Sequence, residues 1–377
     1  MKAVLCITGS LAAVECVKLI RELKRRGFEV KTVVSEKATE IIGIKALEFI
    51  SDLCNNHVEI AGINGWCDLV IIAPATANTI SKIANGIADT PVTLTVLTAI
   101  GSGKKVILAP AMHLGMYKNE FVQRNIRKLK EIGICIVYPK IEENKAKLAS
   151  IDEICLYAER AVSSNEFNGK KVVVTAGPTY EYIDPIRFIS NRSSGRMGLM
   201  LALEFWRRKA EVVLITSKPS GYRLEGFREI EVVSVMDMLE HCLREVKDCD
   251  LFVSAAAPSD FIVEKFDKKI KTCNEICLKL KSAPKIIHEV RKVYSGHIIG
   301  FKAETGIKDE DLEKIALDKA ISDKLEMVVA NDVELRGMGT EDTRVVIVTE
   351  GYKKWIEGRK EDVAKEIVNF YVEKFLR

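Results

Sequence analysis

The chain of 377 residues has no uninterrupted apolar run approaching the ~18–20 residues that a membrane-spanning helix needs. It has no internal repeat of fixed period, which excludes collagen-like, coiled-coil and solenoid architectures. It has little charge of one sign to spare. Its 57 Lys and Arg face 53 Asp and Glu, a net +4, whereas a nucleic-acid binder concentrates a basic face. It also lacks the ordered cysteine spacing of a disulfide scaffold. Cys6 and Cys135 lie within apolar runs, where cysteine acts as a small hydrophobe. The close pair Cys273 and Cys277 has no second pair or His cluster nearby to complete a zinc site. A chain this long folds without staples, so a reducing cytoplasm is the expected setting.

What is present is enough apolar sequence to build a core: 47% of residues are hydrophobic and 29% charged. The opening residues imitate a signal peptide, but the apolar run breaks at Thr8-Gly9-Ser10. Val14, Val17, Leu19, Ile20 and Leu23 then recur at the spacing of an amphipathic helix, so a retained strand, turn and helix are expected. The alternation continues. Ala3–Thr8, Glu29–Ser35, Asp68–Ala73, Lys105–Ala109 and Cys135–Val137 read as strands. Leu11–Arg26, Thr79–Ala88, Asn119–Ile132 and Ile151–Val162 read as helices. Strands apolar on both faces imply a parallel sheet covered by helices.

The polar stretch after Val162 reads as a seam, and the alternation then restarts. Lys171–Thr175, Glu211–Thr216, Leu251–Ala255, Ile298–Phe301 and Met327–Ala330 are expected strands. Helices are expected from about Gly198 and over Met236–Val246, Pro284–Tyr294, Asp309–Ser322 and Lys360–Leu376. Arg344–Val348 reads as a late strand hairpinned with the loop before it, and Lys269-Ile270-Lys271 alternates as a strand would. The expected fold class is α/β, with two doubly wound parallel-sheet domains. The first, 1–163, is flavodoxin-like or Rossmann-like. A linker, 164–169, leads to a second, Rossmann-like domain, 170–377.

Chemistry concentrates at the carboxyl ends of these strands. In the first half, Thr8-Gly9-Ser10 and Ala73-Pro74-Ala75-Thr76-Ala77-Asn78 close buried strands and open helices. Such turns offer N–H groups and hydroxyls to a phosphate and room for a flat ring; an ordinary capped turn has the same composition. His57 is placed to serve as an acid or base near neutral pH, or to be a half-buried histidine at a helix start. With Gly86-Ile87-Ala88-Asp89 and Pro110-Ala111-Met112, these motifs follow the order and spacing of flavin-dependent cysteine decarboxylases. The first half resembles phosphopantothenoylcysteine decarboxylase. The resemblance implies FMN held by Gly9, Ser10, Ser35, Ala75, Thr76, Ala77 and Asn78, a catalytic His57, and substrate at Met112 and His113. It also implies removal of CO₂ from 4′-phospho-N-pantothenoyl-L-cysteine. Two departures stand out: His113 replaces the family's Asn, and the flap segment Tyr138–Leu148 carries no cysteine.

In the second half the densest motif runs from Ala176 to Gly198 and includes Arg187, Asn191 and Ser193-Ser194-Gly195. A long loop rich in Pro, Gly, aromatics and Arg at the first strand–helix turn suggests an ordered anion site. Ser254-Ala255-Ala256-Ala257-Pro258-Ser259-Asp260 and Ala283-Pro284-Lys285-Ile286-Ile287 suggest a ligand pocket. This set is similar to phosphopantothenate–cysteine ligase. The resemblance implies CTP with Mg²⁺, an acyl-nucleotide intermediate and release of pyrophosphate. It carries nucleotide contacts onto Ser254, Ala255, Ala256, Asp260, Lys269, Pro284, Lys285, Ile286, Ile287, Phe301 and Lys319, with Lys269, Asn191 and Arg187 in the chemistry. The family's second basic residue after Phe301 falls on Asp323, and Lys302 replaces a small residue.

Both halves in one chain resemble an archaeal-like member of the fused bifunctional coenzyme A biosynthesis family. The implied partners are 4′-phosphopantothenate, L-cysteine and CTP, with no nucleic acid and no membrane. The implied assembly is a homo-oligomer of trimeric flavin halves and dimeric ligase halves in the cytoplasm. The alternative is a ligase whose flavin-binding half is inactive or regulatory.

Overall fold

The structure, a computed structural model, describes residues 1–43, 53–54, 56–271, 275–334 and 339–376. Cys273 lies outside the described residues; Cys277 is exposed. No described helix is long and apolar enough to cross a membrane. The chain divides into two compact units, 1–163 with 222–224, and 164–221 with 225–377.

The first unit is built on a five-stranded sheet whose strands are β1 (Lys2–Ile7), β2 (Glu29–Val34), β3 (Leu69–Ala75), β4 (Lys105–Pro110) and β5 (Cys135–Ile136). Every pairing is parallel and the order is β2-β1-β3-β4-β5. That order is flavodoxin-like, and its direction reverses between β1 and β3. The apolar runs explain it: Ala3 to Ile7 and Leu69 to Ala73 are fully buried, so both sheet faces must be covered. The expected helix over Leu11–Arg26 divides into a 3₁₀ turn, Leu11–Glu15, and an α-helix, Cys16–Arg25. The one expected over Thr79–Ala88 runs Ala77–Ala84 and stops before Gly86, whose φ of 72° suits a residue without a Cβ. The flap is a small hairpin, Lys140–Glu142 against Lys145–Lys147, turned by Glu143 and Asn144, both left-handed. It pairs in turn with Met112–His113.

The second unit has an eight-stranded sheet: β6 (Lys171–Ala176), β7 (Glu211–Thr216), β8 (Phe227–Glu231), β9 (Leu251–Ser254), β10 (His297–Glu304), β11 (Met327–Asp332), β12 (Asp342–Thr349) and β13 (Tyr352–Arg359). The order is β8-β7-β6-β9-β10-β11-β12-β13. The first six are parallel in the Rossmann sequence, reversing between β6 and β9; β12 and β13 are antiparallel additions. Three expectations change here. β12 pairs antiparallel with two strands, β11 before it and β13 after it, the second across a turn closed by Gly351 at φ 79°. Lys269–Lys271 is irregular chain, fixed by hydrogen bonds to another loop rather than by a sheet ladder. The 164–169 stretch belongs to the second unit: Phe167 is buried, its ring meets Phe205 edge-on at 5.0 Å, and its N–H donates to the Arg208 carbonyl.

Candidate active sites

At the β1/β3 reversal, Thr8 is a buried tie. Its hydroxyl donates to the Pro74 carbonyl (2.6 Å) and accepts the Thr76 N–H (3.2 Å), holding the ends of the two strands together. A cavity of about 500 Å³ opens beside it. Gly9, Ser10, Ser35, Thr76, Ala77, Asn78, Met112 and His113 all line it. Ala75 is buried at the end of β3 and does not line it. Sequence reasoning missed Thr90 and Thr93 in the same wall. Their signal was Thr90-Pro91 before an apolar run, a capped start with Pro at the first helical position. Ser10, Ser35, Thr76 and Thr90 each accept a backbone N–H at the start of the element they cap, so four such starts open onto one cavity. That arrangement favours an anion. The lining also includes Lys37, whose Cγ would lie 2.5 Å from a Cβ at Gly9; glycine is what admits it.

His113 Nδ1 accepts the Gly115 N–H at 3.1 Å, so a neutral ring carries its hydrogen on Nε2. His57 begins the helix His57–Ala61, is half-buried, and does not line the cavity.

At the β6/β9 reversal the second unit has a cavity of about 750 Å³. It is positioned by glycine. Gly195, left-handed at φ 76°, caps the helix Arg196–Arg207, and a Cβ there would fall 3.1 Å from Gly177 Cα. The Ser193 hydroxyl accepts the Gly195 N–H, and the Ser194 hydroxyl accepts that of Arg196. Ser254, Ala255, Ala256, Asp260, Pro284, Lys285, Ile286, Ile287, Phe301, Lys319 and Asn191 all line the cavity. The Asn191 amide donates to the Ala257 and Pro258 carbonyls (3.0 Å each), bracing that wall. Both amide hydrogens are thereby engaged, and the side chain offers an acceptor rather than the donors a carboxylate or phosphate would need.

Charge in this cavity is mostly paired. Asp260 bonds Lys285, Lys302 bonds Glu304 (2.7 Å), and Lys319 bonds Asp323 (2.6 Å). Asp323 also meets His288 at 3.1 Å. Burial pushes the Asp323 carboxyl up, but Lys319, Ser322 and His288 outweigh it and hold it below the usual carboxylate range. The departure noticed in sequence therefore places an acid where it shares the charge of Lys319.

Lys269 and Arg187 do not line the cavity. The structure brings their two segments together over Asp184, a fully buried side chain that sequence reasoning passed over. Its carboxylate accepts N–H groups from Ile186 and Arg187 (2.8 Å each) and Ile270 (3.1 Å). The Arg187 guanidinium lies 3.1 Å from it and donates to the Ile270 carbonyl (2.6 Å). Burial raises the Asp184 carboxyl, yet these N–H groups and Arg187 hold it below its ordinary value. Arg187 thus fixes the segment that carries Lys269.

Two family models match in tandem: Flavoprotein over residues 1–163 and the DNA/pantothenate metabolism flavoprotein C-terminal domain over residues 167–374. The chain is 47% identical to the coenzyme A biosynthesis bifunctional protein CoaBC of Thermococcus kodakarensis, over 94% of this chain and 90% of that one. Its identity with the protein of the same name from Methanocaldococcus jannaschii is 38%, over 97% and 92%. A solved DNA/pantothenate metabolism flavoprotein from Streptococcus pneumoniae aligns with a TM-score of 0.49 at 24% identity, over 54% of this chain and 99% of that one.

Proposed function

The chain belongs to the family of coenzyme A biosynthesis bifunctional proteins, and from that premise we propose that it catalyses two consecutive steps. The second unit joins 4′-phosphopantothenate to L-cysteine with CTP, and the first decarboxylates the product to 4′-phosphopantetheine with FMN. The observation that carries this reading is the coincidence, in each unit, of a cavity at the sheet's reversal with the motifs singled out in sequence.

In the second unit, the carboxylate is a poor electrophile until its oxygen is attached to a nucleotide leaving group. Ser193, Ser194 and the first N–H groups of the Arg196–Arg207 helix suit the phosphates, and the small Ala255 and Ala256 admit the base. Asn191 holds the Ala257–Pro258 wall and offers its oxygen to a ligand donor. Lys269, on the segment pinned by Asp184 and Arg187, stabilises negative charge as the acyl-nucleotide forms and is attacked by the cysteine amine. Mg²⁺ would accompany the triphosphate. Among the described residues no three His, Cys, Asp or Glu side chains gather into a cage, and magnesium is commonly held by one or two carboxylates plus phosphates.

In the first unit, four capped starts fit a flavin phosphate, with Gly9, Ser10, Ser35, Thr76, Ala77 and Asn78 as its holders. When bound, FMN would supply a reversible two-electron oxidation that provides an electron sink for loss of CO₂. Met112 and His113 would receive the substrate, the imidazole donating from Nε2 to its carboxylate. His57 is assigned acid–base work on the strength of the family. We place the protein in the cytoplasm as a homo-oligomer, with trimeric first units and dimeric second units, on the strength of the family.

Purified protein should show flavin absorption bands and release pyrophosphate from CTP when given 4′-phosphopantothenate and cysteine. Lys269→Ala should abolish that release and leave the flavin bands intact. Failure with both CTP and ATP overturns the ligase assignment. If FMN-loaded protein releases no CO₂ from 4′-phospho-N-pantothenoyl-L-cysteine, the first unit is a binding module and the chain a ligase alone.

A further inference from the structure

Lys360 lies at the first position of the helix Lys360–Tyr371 and is only 5% exposed, which is rare for a lysine. It nevertheless lines the second unit's cavity, with Asn331, Thr343 and Val345 from the neighbouring strands. Its ammonium donates to the Thr340 carbonyl at 2.6 Å. Among the side chains lining this cavity are five cations and three carboxylates. The three carboxylates are engaged with Lys285, Lys302 and Lys319. Arg196 and Lys360 are the other two cations of the lining. Arg196 bonds Glu341 at 2.6 Å. Burial, and then the Arg196 guanidinium, pull the Lys360 ammonium below the ordinary lysine range, with Glu341 opposing. A buried ammonium beside the cavity gains from an anion placed there, and the Arg196 guanidinium of the same lining can share that anion. The Arg196–Arg207 helix starts here, beside the Ser193 and Ser194 hydroxyls.

We propose that Lys360 and Arg196 form a subsite for a phosphoryl group at this end of the cavity, carried by the nucleotide or by the phosphorylated acid. The inference rests on the reading of the cavity as the ligase site and adds to it a ligand residue outside the motifs that define that site. Lysine suits the position because a long aliphatic stem can cross buried ground while its charged end reaches the cavity.

The test is calorimetric titration of the full-length protein with CTP, cytidine and 4′-phosphopantothenate in separate experiments. Lys360→Met keeps the stem and removes the charge. It should weaken binding of the phosphorylated ligand that occupies the subsite by at least about 30-fold, the equivalent of removing one partner of a buried charge pair, and leave cytidine unchanged. Loss confined to CTP assigns the subsite to the nucleotide; loss confined to 4′-phosphopantothenate assigns it to the acid. Arg196→Met, at a more exposed side chain, should weaken the same ligand, and Lys360→Arg should restore part of the affinity. If Lys360→Met and Arg196→Met bind every ligand as the unaltered protein does, the subsite is refuted, and a lowered melting temperature alone would mean that Lys360 merely straps Thr340. If the unaltered protein binds none of the three, the ligase reading itself has failed.

Discussion

Replacing Gly198 by alanine tests how the second unit's site is built. Gly198 lies in the first turn of the Arg196–Arg207 helix, where alanine ordinarily gains about 1 kcal/mol over glycine. The local environment argues the other way. A methyl there would stand 2.5 Å from Ala176 Cβ, 2.9 Å from the Thr175 carbonyl oxygen and 3.0 Å from Ala176 Cα. Ordinary carbon contacts need roughly 3.5–4.0 Å, so the helix must retreat by about 1 Å. Two of the three obstacles are backbone of β6 within the sheet and cannot give way. Overpacking of this kind costs about 3 kcal/mol at the upper end of its usual range. Less the gain in helix propensity, a loss of about 2 kcal/mol remains, or a melting temperature about 4–8 °C lower for a unit of this size. Because the retreating helix carries Gly195 and Arg196 at the cavity, CTP affinity should fall as well. Differential scanning calorimetry and CTP titration of Gly198→Ala measure both. Gly101→Ala, where a Cβ meets nothing within 4 Å, is the control and should be neutral or slightly stabilising. A Gly198→Ala protein as stable as the unaltered one, with full CTP affinity, would refute the claim that close helix–strand approach sets the cavity.

Thr8→Val should lower the first unit's stability by about 1–3 kcal/mol, since the Thr76 N–H loses a buried acceptor. It should also weaken FMN retention, read by dialysis and flavin absorbance; unchanged retention would detach the tie from the cofactor site. Asp184→Asn tests the ledge beneath Lys269. The folded Asp184 carboxyl is held below its unfolded value of about 4, so its stabilisation is fully present above that pH and is lost as pH falls towards the folded value. Melting temperature measured from pH 5 down to pH 2 should therefore fall less steeply in Asp184→Asn, which should also be less stable at pH 7. Parallel curves would show that the carboxylate makes no net contribution.

Some of this was legible without coordinates because strand burial writes itself into composition. Val172, Val173 and Val174 are apolar in succession since both sheet faces are covered, and Gly195 follows two serines since a helix start there needs a left-handed residue and N–H acceptors. The turns that line both cavities were readable for the same local reason. Local signals failed where one segment takes its conformation from another distant in sequence. Lys269-Ile270-Lys271 has the alternation of a strand, but its backbone is held by Asp184 and Arg187, more than eighty residues earlier. β12 has a strand's composition, but its place between β11 and β13 is set by antiparallel pairing with both, and the first of these partners is more than ten residues earlier in the chain.

Two α/β units, the strand-end turns and most of the motifs that surround each cavity were readable along the chain, because periodicity and turn chemistry are properties of adjacent residues. It took the folded chain to show that Asn191 uses its amide hydrogens to brace a wall, that Asp184 governs the Lys269 segment, and that Lys360 and Arg196 line the same cavity. Those facts depend on which charges and donors are brought together across the fold, and electrostatic interactions act through space rather than along the chain.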